Sequence, residues 1–422
     1  MQLEAETRPP SPPPQDLEDK SFDPFAGHFL AHGDTLDPFP LLHQMARESW
    51  VHPVGYREVF GMKTSNLAGF DHPRFTVFGY DRCAQHIPNT EVFSNRPLKM
   101  HLGLSFGATI SGMEAPEHTR YRRIFQKAFL PQYVRRWGES VVDPVVTSLL
   151  AKVVDLGHCD LIKDFTLHYP FHVVYRQLNL PPDDTAIFHK LAVAQTTYWY
   201  APEMAIDAGR KLGDYFLNMI RQRREDPGQD LVSVLCTAEA DGEQLPEEVV
   251  LGFLRQLMNA GGDTTYRATS CLLAGLLQNP DQLEAVRRDR SLVASAIEEG
   301  LRWNGPVMNA MRMTNREITI DGFTFPKDAW IDFCQGEANR EASKFANPDS
   351  FDISRDRTWR HLSFTTGPHV CIGQHLARVE MERALNAILD RLPGVRLDPD
   401  MPPPEIWGFN LRAPDHLYVS FD

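Results

Sequence analysis

Phe364-Thr365-Thr366-Gly367-Pro368-His369-Val370-Cys371-Ile372-Gly373-Gln374-His375-Leu376-Ala377-Arg378 sets a single cysteine between glycines where a helix begins. Gly367 and Gly373 bracket Cys371 at positions where a side chain would keep the backbone from lying flat against a large ligand. The periodic run Leu376-Ala377-Arg378-Val379-Glu380-Met381-Glu382 starts the helix, so the cysteine stands at a helix N-terminus. Amide N–H groups and the positive end of the dipole favour a thiolate there.

A thiolate tuned by backbone donors suits a soft metal. No second cysteine lies close by, whereas zinc and iron–sulfur sites need several thiolates at short spacing. One sulfur in a glycine-lined turn better fits a single axial bond to haem iron. Taken alone, the cysteine fits equally well as a buried structural thiol at a loop-to-helix junction.

The surrounding pattern decides between the two. The stretch resembles the haem-binding signature of the cytochrome P450 family of haem-thiolate monooxygenases, Phe-x-x-Gly-x-His/Arg-x-Cys-x-Gly, continued by Leu-Ala-Arg in bacterial members. Phe364, Gly367, His369, Cys371, Gly373, Leu376, Ala377 and Arg378 fall into register, and Thr365 departs from the usual glycine. The resemblance implies a mainly α fold with small β-sheets: a triangular helical body with a long central helix over haem b, and Cys371 as the metal ligand.

Composition is consistent with this. The chain has 422 residues, 42% of them hydrophobic, enough for a large core, and its net charge of −13 argues against a general nucleic-acid binder. Six cysteines without paired spacing point to a reducing cytoplasm. The acidic start Met1-Gln2-Leu3-Glu4-Ala5-Glu6 lacks the order of an export signal, and no apolar run approaches the ~20 residues of a membrane span. A cytoplasmic monomer without membrane contact is expected. Residues 1–20, rich in proline, read as a loose extended arm, and residues 21–422 as a single domain.

Along the chain, Leu36 to Ser49 has a helical pattern, and Arg74 to Tyr80 reads as a strand before a short helix at Asp81 to His86. Residues 95 to 113 carry glycines and no steady period and are predicted as a long mobile loop, by resemblance the one over the substrate pocket. From Glu114 a helix begins near Pro116 and places His118 and Arg122 on one face. The resemblance gives that face to a haem propionate; a solvated basic stripe is the plain alternative. Val141 to about Ala238 is almost wholly helical in pattern, broken at Leu180-Pro181-Pro182 and Tyr200-Ala201-Pro202. Tyr198-Trp199-Tyr200 falls between two helices, as a channel lid by resemblance or as core.

Pro246-Glu247-Glu248 and Asn279-Pro280 bound a long helix interrupted by Ala260-Gly261-Gly262-Asp263-Thr264-Thr265. Two glycines inside a helix cost ~1 kcal/mol each, so the cluster serves something other than helicity. It resembles the family's oxygen-binding motif, in which Gly261 lets the helix widen beside the iron, Thr264 orients dioxygen and Asp263 relays protons. The alternative is a glycine-kinked helix whose threonine bonds its own backbone. Glu299-Gly300-Leu301-Arg302 matches the family's structural Glu-x-x-Arg; Glu298 is adjacent, but only Glu299 stands three before Arg302. Arg312 and His369 fit further propionate partners, with Phe364 and Gly373 completing the cofactor contacts. Glu317 to Phe325 alternates around Asp321-Gly322 and reads as a β-hairpin.

By resemblance the substrate meets Leu257, Val307, Met308, Asn309, Trp407 and Phe409, a mostly apolar set suited to a terpenoid, steroid or aromatic, though these positions also read as core. The expected reaction puts one atom of O2 into such a molecule. No flavin or iron–sulfur module is read through Asp422, so electrons are expected from NAD(P)H through a separate ferredoxin reductase and ferredoxin. Arg120, Arg122, Arg123, Lys127, Arg355, Arg357 and Arg360 are expected to form a basic face steering that acidic partner. A peroxide-driven oxygenase, or a haem-thiolate sensor or carrier without turnover, are the competing readings.

Overall fold

The computed structural model describes residues 33–62, 72–181, 185–199, 201–240, 242–356 and 358–422. The proline-rich arm, Pro182, Tyr200 and Arg357 lie outside the described residues. The helices that shape the site are α1 (Phe39–Glu48), α2 (Tyr80–His86), α3 (Arg96–Phe106), α4 (Glu117–Ala128), α5 (Tyr169–Gln177), α6 (Pro202–Glu225), α7 (Glu247–Ala260), α8 (Asp263–Gln278), α9 (Val293–Trp303) and α10 (Gln374–Arg391). A sheet beside them joins β1 (Val51–His52), β2 (Arg74–Val77), β3 (Phe93–Ser94), β4 (Ala310–Thr314) and β7 (Trp330–Phe333) in the order β1-β2-β7-β4-β3. Only the β2–β7 pair is parallel. The hairpin of β5 (Ile318–Ile320) and β6 (Phe323–Phe325) pairs Ile320 with Phe323. Asp321 and Gly322 turn it with φ of 47° and 82°, which favours that Asp-Gly pair.

Two expectations change. Residues 96–106 form α3 rather than a loop, because His101, Ser105 and Phe106 are buried. The backbone of Ser105 lies so close to α6 that a Cβ on Gly209 would sit 2.2 Å from the Ser105 carbonyl oxygen. Tertiary packing thus holds a helix that its glycines and lack of period concealed. The segment from Val141 is also interrupted by a strand at His158–Asp160, which pairs with Tyr418–Ser420.

Glu299 and Arg302 form a buried bidentate pair with N–O distances of 2.7 and 2.8 Å. Arg302 also donates to the carbonyls of Asn339, Pro348 and Ser350, and Arg355 approaches Glu299 at 3.2 Å from the other side. Arg355 is therefore spoken for inside the fold, which corrects its assignment to a partner-facing cluster.

The cysteine loop is bent by positive φ. Thr365 adopts φ 57° and Gly367 φ 79°; a Cβ on Gly367 would fall 2.2 Å from Cβ of Pro88. A side chain in the left-handed region costs roughly 1–2 kcal/mol, which accounts for glycine being usual where this chain has Thr365. Here the Thr365 amide donates to the Leu362 carbonyl at 2.8 Å and its hydroxyl to the His369 carbonyl at 3.2 Å. Thr365→Gly is expected to change unfolding free energy by less than about 1 kcal/mol, whereas Gly367→Ala should lose more than about 2 kcal/mol, measured by denaturant titration.

Candidate functional site

Five of the six cysteines are buried; Cys371 is exposed. Its amide donates to the Phe364 carbonyl at 2.9 Å, and α10 begins three residues later. Burial pushes the thiol up, with the Gly373 amide, Arg122, Arg378 and the Gln374 amide pulling it back only in part. A group both crowded by protein and accessible lines a recess rather than the outer surface. The helix terminus alone therefore does not make the thiolate expected from sequence; a bound metal cation, which deprotonates a coordinating thiol outright, would. Among the described residues no group of three or more His, Cys, Asp and Glu converges on a metal position.

A cluster of histidines and arginines stands near this loop. The rings of His118, on α4, and His369 lie 3.9 Å apart. Burial lowers His118 to about 4, with His369 and Arg122 adding to the effect, and burial likewise lowers His369. Arg312, on β4, is pushed down to about 10 by burial and donates to the Ile87 and Met311 carbonyls. Arg122 donates to the Val370 carbonyl. Glu114 lies 3.9 Å from His369. The His118 Nε2 atom is buried without a hydrogen-bond partner among the described residues. Donors that repel one another, one of them orphaned, suit bound anions, and two carboxylates such as haem propionates fit them.

The interrupted helix is two helices in line, with α7 ending at Ala260 and α8 starting at Asp263. A Cβ on Gly261 would lie 2.7 Å from Val174, and one on Gly262 2.4 Å from the Phe171 ring, both on α5. The glycines thus answer to the close approach of α5, a physical reason the sequence did not disclose. Thr264 donates to the Ala260 carbonyl at 2.8 Å, filling an acceptor freed by the break. Asp263 is buried and accepts from Arg267 Nε at 3.2 Å. Burial raises its carboxyl and Arg267 opposes that rise without cancelling it. Arg267 went unnoticed in the sequence although its i+4 spacing from Asp263 was visible. Leu257 and Ile372 pack against one cluster containing Leu254, Met258 and Leu376, which joins α7 to the cysteine loop.

The substrate set divides. Met308 and Phe409 are each 1% exposed, in a cluster with Phe39, Leu42 and Tyr56. They are core, because Phe409 stacks on Phe60 at 4.4 Å and Met308 fills the space beside Gly336. Asn309 is buried too and donates to Asp332 at 2.9 Å. Leu257, Val307 and Trp407 are partly exposed, and Val307 bridges Leu411 in the turn between β8 (Ile406–Trp407) and β9 (Ala413–Pro414).

The cytochrome P450 family model matches residues 200–414. Cytochrome P450 monooxygenase PikC of Streptomyces venezuelae is 31% identical over 374 residues, covering 87% of each chain. Cytochrome P450-terp of a Pseudomonas species is 30% identical over 330 residues, covering 74% of this chain and 76% of that protein. Among solved structures, the Bacillus subtilis cytochrome P450 PksS superposes with a TM-score of 0.81 at 27% identity, over 95% of this chain and 100% of that one. CYP109E1 of Bacillus megaterium, solved with testosterone, gives 0.79 at 25% identity, over 92% and 99%. With an accessible cysteine at the head of α10, a donor cluster suited to two carboxylates and a glycine-broken helix carrying an acid and an alcohol, this chain belongs to the cytochrome P450 family of haem b-containing monooxygenases.

Proposed function

We propose that the protein inserts one atom of O2 into a hydrophobic small molecule of terpenoid, steroid or aromatic type, taking electrons from a ferredoxin. The observation that carries this reading is the accessible Cys371 in its glycine-bent loop. Cys371 would bind the iron, with His118, Arg122, Arg312 and His369 around the propionates and Phe364 and Gly373 bordering the sulfur. Haem held by the Cys371 thiolate would supply the redox chemistry that activates O2.

The remaining steps belong to this chain's own groups. Thr264, fixed by its bond to the Ala260 carbonyl, presents a hydroxyl at the break between α7 and α8. Asp263, its carboxyl raised by burial, takes and releases protons there, and Arg267 holds it in place. That pair favours the dioxygen route over a peroxide-driven one and over a carrier without turnover. Leu257, Val307 and Trp407 would meet the substrate, and the steroid in the CYP109E1 structure supports a ligand of that size and polarity. Arg123, Lys127 and Arg360 are exposed and would steer an acidic ferredoxin. Arg122 and Arg355 are engaged within the fold. Residues 21–422 would act as one domain. No helix among the described residues is long and apolar enough to cross a membrane.

The ferrous protein with carbon monoxide should show the red-shifted Soret band of thiolate ligation, and Cys371→Ser should abolish it; a variant keeping band and turnover would overturn the assignment. Thr264→Ala should keep consuming NAD(P)H while product per electron pair falls about tenfold or more, quantified by product analysis against NAD(P)H oxidation. Turnover with ferredoxin should drop steeply as ionic strength rises and the Debye length shrinks below ~10 Å, and a flat salt profile would refute electrostatic docking.

A further inference from the structure

Glu298 stands beside the Glu299 of the structural pair but turns to a different task. Its two oxygens accept from Arg378 Nε at 2.6 Å and Nη2 at 3.1 Å, a fork-to-fork contact between α9 and α10. One of them also accepts from His361 Nε2 at 3.1 Å. The His361 Nδ1 atom accepts from the Ser363 amide at 3.2 Å, which places its proton on Nε2, aimed at Glu298. The Arg378 guanidinium lies 4.5 Å over the Phe364 ring, and the His361 ring is 5.9 Å from that ring. Phe364 is the residue whose carbonyl receives the Cys371 amide.

Burial works against the Glu298 charge, yet the His361 and Arg378 contacts outweigh it and hold the carboxyl down at about 2. The Glu298 carboxyl is thus ionised across the working pH range. Arg378 has a further anchor at its own helix start, donating to the Gln374 carbonyl at 3.1 Å. All four side chains border a groove of about 900 Å³ that opens to solvent past Trp359 and Arg360. Trp359 is 41% exposed there.

We propose that Glu298, Arg378 and His361 form a positioning clamp for Cys371: they fix Phe364 from the groove side and so set how firmly the sulfur is held against the metal. The proposal rests on Cys371 being the iron ligand. None of the three residues is catalytic, since each acts through Phe364.

The test compares wild-type holoprotein with Glu298→Gln, Arg378→Lys and Arg383→Gln. Arg383, on the same α10, pairs with Asp143 and serves as control. Three quantities are read: the Soret position of the ferrous carbon monoxide complex, the iron reduction potential, and hydrogen exchange at the Cys371 amide. A sulfur held less firmly donates less electron density. Glu298→Gln and Arg378→Lys should therefore shift part of the Soret band toward that of haem without thiolate, raise the potential and speed Cys371 exchange roughly tenfold. Arg383→Gln should match wild type in all three.

Unchanged band, potential and exchange in a folded Glu298→Gln protein would overturn the proposal, as would equal shifts in Arg383→Gln. If Glu298→Gln does not fold, Arg378→Lys decides, since it keeps the charge but loses the planar fork and the stacking. If wild type lacks the thiolate band, the iron-ligand assignment fails, and amide exchange still reports on the clamp.

Discussion

A guanidinium buried at Arg302 must have every N–H satisfied, and this requirement organises the side of the molecule that carries the cysteine. Five donors find five acceptors: both oxygens of Glu299 and the carbonyls of Asn339, Pro348 and Ser350. Breaking such a buried pair costs about 3–5 kcal/mol, because the abandoned charge cannot reach water. The segment from Asn339 to Arg355 has little regular structure of its own, so these charge-assisted bonds locate it. Asn339 passes the constraint on. Its side chain accepts from the Leu362 amide and donates to Ser363, whose hydroxyl returns to the Leu301 carbonyl on α9. Phe364 follows, and its carbonyl takes the Cys371 amide. The sulfur is therefore placed by a relay of hydrogen bonds that starts at an ion pair, and not by the dipole of α10 alone.

The opposite wall obeys a steric rule. Val174 and Phe171 approach α7 and α8 so closely that neither Gly261 nor Gly262 has room for a Cβ. The freed Ala260 carbonyl is recovered by the Thr264 hydroxyl. Asp263 is tolerated in a buried position because Arg267 is one turn away, and Arg267 reaches on to the Leu411 carbonyl at 3.4 Å, beside the bridge from Leu411 to Val307. Acid, alcohol and a candidate substrate-side residue are thus tied through one helix turn and one hairpin.

The features legible in the sequence were those carried by short spacings. The Cys371 loop, the Glu299/Arg302 pair, the Asp321-Gly322 hairpin and the glycine break each declare themselves within a few residues. What escaped depended on contacts between distant segments. Helix α3 has poor local propensity and exists because of its fit to α6; the tasks of Arg355 and Glu298 are fixed by partners more than fifty residues away. Met308 and Phe409 show a different ambiguity. An apolar residue near a pocket motif and an apolar core residue look alike in one dimension, and only their burial against Phe39, Tyr56 and Phe60 separates them.

The electrostatics of the site make opposite demands in two places. At Cys371 burial lifts the thiol above its ordinary range and Arg122 and Arg378 offset that rise only in part, so added positive charge there favours the thiolate. At His118, His369 and Arg312 it gathers donors whose charged forms burial disfavours, with the Glu114 carboxylate at the edge. A free metal ion answers the first demand and not the second; a free carboxylate does the reverse. A planar ligand with a cationic centre and two peripheral carboxylates would answer both at once, and haem, the cofactor of the family, has that form.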